Sequence, residues 1–119
     1  MARGIQELVL NDRDRFVLFL LDKFRVLDVK SLTVLAGFSS VNYADIRLLK
    51  LAKYGYIKRE KLVNTLPLVH WLTKKGYFEI HDEDKRIAKP VLATLEHEIL
   101  IGRVASHLVL KNGVEVNQM

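Results

Sequence analysis

The chain has 119 residues, a net charge of +5 and no cysteine. That is one domain with room for a single modest core. It excludes a separate cofactor domain, a disulfide framework, a thiol nucleophile and cysteine-based zinc sites. Half of the residues are hydrophobic and 28% are charged, a balance that favours a folded chain over a disordered one.

The longest unbroken apolar run is Phe16–Leu21, well short of the roughly 20 residues of a membrane span. Asp12 and Asp14 interrupt the N-terminus before any apolar region, so it does not read as a secretory signal. The expectation is a cytoplasmic protein without a membrane partner. The charge is unevenly spread. Residues 1–61 hold 12 Lys/Arg against 7 Asp/Glu, and residues 62–119 hold 7 against 7. A basic half suits phosphates or an acidic surface; the competing reading is a solvated basic face.

In chain order, a first helix is predicted from about Arg13 to Arg25, with Asp12 as N-cap and Asp14 favourably placed near the positive end of the dipole. Its run Phe16–Leu21 is apolar on every side, as expected at the centre of a small bundle. Asp28 caps a second helix over Val29–Ala36, which Gly37 ends. Ser39 or Ser40 caps a third helix to about Tyr54, and Gly55 ends it. Tyr56–Leu62 and Pro67–Leu72 suit the two strands of a hairpin turning near Asn64. Pro67 belongs at a strand start or edge, because it cannot donate to a ladder. Thr73 caps a short helix over Lys74–Glu79. The last long helix spans about Val91–Lys111, with Pro90 at its first position. The fold class is mainly α with a small β-hairpin: a winged helix-turn-helix over 1–80, a charged linker over 81–90, and a C-terminal helix with a short tail over 91–119.

On the third helix, 100° per residue puts Ala44, Leu48, Leu51 and Ala52 on the core face. Tyr43, Arg47, Lys50 and Tyr54 fall on another side, with Asn42 and Ile46 beside them. Arg47 can grip guanine bidentately and Asn42 can pair with adenine. Lys50 and Lys53 suit phosphates. The candidate DNA-binding set is Ser40, Asn42, Tyr43, Arg47, Lys50 and Lys53, joined by Lys58, Arg59 and Lys61 on the outgoing strand and Asn64 and Thr65 at the tip. The competing readings are a solvated amphipathic face for the helix and edge protection for the strand.

The stretch Leu48–Arg59 resembles the end of a recognition helix running into the wing of winged-helix proteins, and Trp71-Leu72-Thr73-Lys74-Lys75-Gly76 resembles the return from the wing. His97-Glu98-Ile99-Leu100-Ile101-Gly102-Arg103-Val104 resembles the aliphatic helix after the wing in the replication-relaxation family. That resemblance covers roughly Arg13–Leu108 and implies a DNA-binding protein at a plasmid or mobile-element origin, with a relaxase or replication protein as partner. A winged-helix transcriptional repressor and a winged-helix protein-interaction module are the alternatives.

No catalytic pattern stands out, so enzyme activity is not expected. No two of His70, His81, His97 and His107 lie three or four residues apart, and the glycines at 4, 37, 55, 76, 102 and 113 form no phosphate loop. Asp82, Glu83 and Asp84 read as a solvated linker rather than a calcium loop. No metal or cofactor is expected. The last helix carries two opposed apolar stripes. Leu92, Leu95, Ile99, Gly102, Ser106 and Val109 form one, which docks on the body; Leu100, Ile101, Val104 and Leu108 form the other, which suits a two-fold dimer, the competing reading being a helix buried on both sides within one domain.

Overall fold

The computed structural model describes residues 8–112; residues 1–7 and the C-terminal tail 113–119 lie outside them. Among the described residues, five helices and a three-stranded antiparallel sheet follow one another as α1 (Asp12–Phe24), β1 (Leu27–Asp28), α2 (Val29–Leu35), α3 (Val41–Lys53), β2 (Ile57–Glu60), β3 (Val69–Leu72), α4 (Lys74–His81) and α5 (Leu92–Asn112).

Asn11, not Asp12, caps α1. Its side chain accepts from the Asp14 amide at 2.8 Å, and the Asp14 carboxylate accepts from the Asn11 amide at 2.9 Å, a reciprocal capping box. The helix is buried through Val17, Leu18, Leu20 and Leu21, but Phe19 is exposed. α1 is therefore amphipathic, and its apolar run does not sit wholly inside a bundle.

The chain leaves α1 through Arg25, at φ 72° and ψ −53°, and the Val26 amide bonds the Phe24 carbonyl at 2.9 Å. This is a γ-turn in its rarer, strained hand, costing about 1–3 kcal/mol at a non-glycine residue. It swings the backbone directly into β1, an element the sequence pattern did not announce. β1 pairs with β3 (Leu27 opposite His70, Asp28 opposite Val69), and β3 pairs with β2 (Ile57 opposite Leu72, Arg59 opposite His70). The expected two-stranded hairpin is thus a three-stranded sheet ordered β1-β3-β2. Both hairpin strands are shorter than expected, so Lys61 and Pro67 lie in the intervening loop.

Asp28 ends β1 and caps α2, accepting from the Ser31 amide at 2.9 Å. Gly37, at φ +74°, reverses the chain after α2, and Ser40 opens α3 by accepting from the Tyr43 amide at 3.0 Å. Thr73 caps α4 and also donates to the Gly55 carbonyl at 2.6 Å, fastening the sheet end to the α3–β2 corner. At Gly76 of α4 an added Cβ would meet the Tyr56 carbonyl oxygen at 2.2 Å, so only glycine admits this approach.

The main core gathers Leu18, Leu21, Leu32, Leu48, Leu51, Ile57 and Leu72 from α1, α2, α3 and the sheet. A smaller cluster joins Val26, Val69 and Trp71 to Leu95 and Ile99 of α5. α5 begins two residues after Pro90, which therefore does not occupy its first position. The helix also makes two ion pairs, Arg25 Nε to Glu98 at 3.0 Å and Arg103 Nε to Asp28 at 3.0 Å. Gly102 lets α5 approach Leu27 closely; a Cβ there would lie 2.5 Å from Leu27 Cδ2.

Candidate nucleic-acid interface

α2, the turn at Gly37 and α3 form one unit whose second helix shows a full face to solvent. Ala44, Leu48 and Leu51 turn inward, while Asn42, Tyr43, Ile46, Leu49, Lys50 and Lys53 are exposed. Ile46 and Leu49 are 61% and 58% exposed, so the outward surface mixes an amide, a phenol, two lysines and bare aliphatic side chains. Ser40 belongs to the backbone as the N-cap of α3, its oxygen engaged by the Tyr43 amide.

Arg47 does not join that face. Its Nε donates to Asp14 Oδ1 at 2.7 Å, and its Nη2 bonds Asp14 Oδ2. The Asp14 side chain is completely buried and that of Arg47 is 21% exposed. The hydrogen bond to Asp14 is the main cause raising the Arg47 pKa above its ordinary value, with burial acting the other way. The expected guanine reader is a clamp between α1 and α3. A helical wheel gives the direction of Cα–Cβ, but a long side chain bends toward whichever buried carboxylate a neighbouring element supplies. Asp14, read as a dipole partner, is the residue that decides this.

Arg59 is engaged too, though with a far more exposed acid than Asp14. It donates to Asp45 Oδ1 of α3 at 2.5 Å and lies 3.2 Å from His70 Nε2 of β3. His70 Nδ1 lies 3.0 Å from the Leu27 carbonyl of β1. The assignment that satisfies all three groups has Nδ1–H donating to Leu27 and Nε2 accepting from Arg59, which requires a neutral ring. Desolvation in the fully buried site pushes the His70 pKa down to about 4, and the Arg59 charge adds to it against the opposing bond to Leu27. One chain of contacts thus runs β1–β3–β2–α3 and sets the helix against the sheet.

Strand alternation separates the remaining basic residues. Ile57 and Arg59 face the core and α3; Lys58, opposite Trp71, faces the other side of the sheet. Lys58 is therefore not on the surface that α3 presents. Lys61, Asn64 and Thr65 are exposed in the loop over 61–68. Lys75, whose Nζ donates to the Tyr54 carbonyl at 2.9 Å and lies over the Tyr56 ring, adds a charge at the α3–β2 corner. Sequence reasoning passed over Lys75 because its position depends on how α4 docks.

On α5, Leu100, Ile101 and Val104 are exposed, at 57%, 44% and 52%, and Leu108 is half-buried. Leu95, Ile99 and Gly102 dock as expected, together with Ala105, but Leu92 is exposed. Among the described residues, no group of three or more His, Asp or Glu could hold a metal ion, and no helix is long and apolar enough to cross a membrane. No family model, curated protein or solved structure matches the chain.

Proposed function

We propose that the protein is a winged-helix protein that binds duplex DNA through the outward face of α3. The observation that carries this reading is the α2–turn–α3 unit. It exposes Asn42, Tyr43, Lys50 and Lys53 along one helix, which Arg47–Asp14 links to α1 and Arg59–Asp45 links to β2. Asn42 suits adenine, and Ile46 and Leu49 suit the apolar surface of thymine methyls. Lys50, Lys53 and Lys61, with Asn64 and Thr65 at the loop tip, supply backbone contacts that give affinity without sequence information. The protein acts without catalysis or cofactor.

The resemblance of His97–Val104 to the replication-relaxation family directs the reading to a plasmid or mobile-element origin, in replication, relaxation or transfer, with a relaxase or replication protein as partner. Fragments selected from the host genome at stated salt separate this from a transcriptional repressor: origin sequences support the first, promoters the second. The exposed Leu100, Ile101 and Val104 on a helix about 31 Å long support a two-fold dimer.

The direct test is duplex affinity as a function of salt. The parent is expected to lose affinity steeply between about 50 and 200 mM salt, and Lys53→Ala to reduce the slope by about one. Asn42→Ala is expected to relax preference among sequences. No salt-dependent affinity for any duplex refutes the reading. The bare Ile46 and Leu49 side chains favour a second reading, a protein-interaction module whose docking face is α3. It predicts that Ile46→Ser and Leu49→Ser abolish partner binding and that salt has little effect.

A further inference from the structure

A groove of about 380 Å³ opens between the C-terminal end of α1, β3 and residues 85–90. That volume falls in the range, about 300–1,000 Å³, of pockets that hold small organic molecules. Val26, Trp71 and Ile87 give it an apolar wall, and Lys23, Lys85 and Arg86 add positive charge around it. Its two carboxylates are both engaged: Glu98 by Arg25 at 3.0 Å, and Asp22 by His81 at 2.8 Å. The lining thus carries four basic residues against these two acids.

A second observation is independent of the cavity. The strained γ-turn at Arg25 sits on its rim, and backbone strain of this kind clusters at ligand clamps and switch regions. The turn sets the Arg25 guanidinium against Glu98, where it neutralises the one largely buried acid that would repel an anion.

We propose that this groove binds a small organic carboxylate, its apolar body against Trp71 and its charge against Arg86. The inference is independent of the DNA-binding reading, and its test uses no DNA. Trp71 is the only tryptophan of the chain, so its emission reports directly on the site.

The full-length protein is titrated with benzoate, benzylamine and inorganic phosphate, followed by Trp71 emission and by calorimetry. Benzoate is expected to saturate a change in emission below about 1 mM, and benzylamine and phosphate to bind about tenfold more weakly. Arg86→Glu, an exposed substitution whose folding is checked by circular dichroism, is expected to weaken benzoate about tenfold. Three results would each overturn the proposal. One is an unchanged emission up to about 10 mM benzoate. Another is benzylamine binding as tightly as benzoate. The third is a folded Arg86→Glu protein with parental affinity.

Discussion

Replacing Arg47 by methionine distinguishes a clamp from a DNA reader, because the two roles predict opposite readouts. Methionine keeps most of the apolar stem and removes only the guanidinium. In the parent, the fully buried Asp14 carboxylate has two kinds of partner, the Asn11 amide and the Arg47 guanidinium. Without the second, a buried charge is left with a single amide donor. Breaking a buried pair from one side costs about 3–5 kcal/mol, whereas an exposed pair contributes about 0–1. Unfolding entropy of about 2.1 cal/mol/K per residue gives roughly 0.25 kcal/mol/K for 119 residues, so Tm is expected to fall by roughly 12–20 °C. Urea unfolding followed by circular dichroism gives the free energy directly. Adding Asp14→Asn, which keeps an acceptor for the Asn11 amide but removes the charge, is expected to recover about half of the loss. If Arg47→Met lies within about 1 kcal/mol of the parent and loses only its preference among DNA sequences, Arg47 faces the groove and the clamp is wrong.

Stability is expected to depend on pH through His70. Its folded pKa, about 4, lies below the unfolded 6.5, so the unfolded chain takes up the proton first as pH falls. The contribution is complete above about pH 6.5 and is lost progressively down to about pH 4, amounting to ~3 kcal/mol. A His70→Gln protein whose stability falls just as steeply over that window would show that another group is responsible. Gly76→Ala is expected to destabilise by more than about 2 kcal/mol although alanine gains about 1 kcal/mol in helix propensity, because its Cβ meets the Tyr56 carbonyl oxygen; a thermal melt equal to the parent's would sink this. Ile101→Glu with Val104→Glu is expected to remain folded and turn a dimer into a monomer by light scattering; a parent already monomeric at tens of micromolar, about the range where modest interfaces assemble, refutes the dimer.

The elements legible in the sequence were those with local signals. Asp28, Ser40 and Thr73 each cap the expected helix, and Gly37 and Gly55 hold the positive φ that ends a helix. Such signals act over three or four residues, so they survive without tertiary context. β1 escaped because two residues carry no alternation and its pairing partner lies about forty residues away in sequence. Most outward positions of α3 were also legible, since helical periodicity sets which Cβ points away from the core; the two stripes of α5 were legible only in part, because Leu92 is exposed and Leu108 half-buried.

By itself the sequence determined the caps at Asp28, Ser40 and Thr73, the stops at Gly37 and Gly55, that the first half of the chain carries the charge excess, and the core-facing and outward sides of the third helix. Tertiary structure decided which cations remain available on those faces. Arg47 looks like Lys50 on a wheel, yet it is drawn inward by the buried Asp14 of α1; Arg59 faces α3 by strand alternation and is bound there by Asp45, whose side chain stays 44% exposed. The same holds for Trp71 and Arg25, which share a groove only because a strained turn folds α1 back beside β3. Capping and periodicity are short-range and written in neighbouring residues. The pairing of buried charges is long-range, and it is settled by which oppositely charged group the packed fold brings within reach.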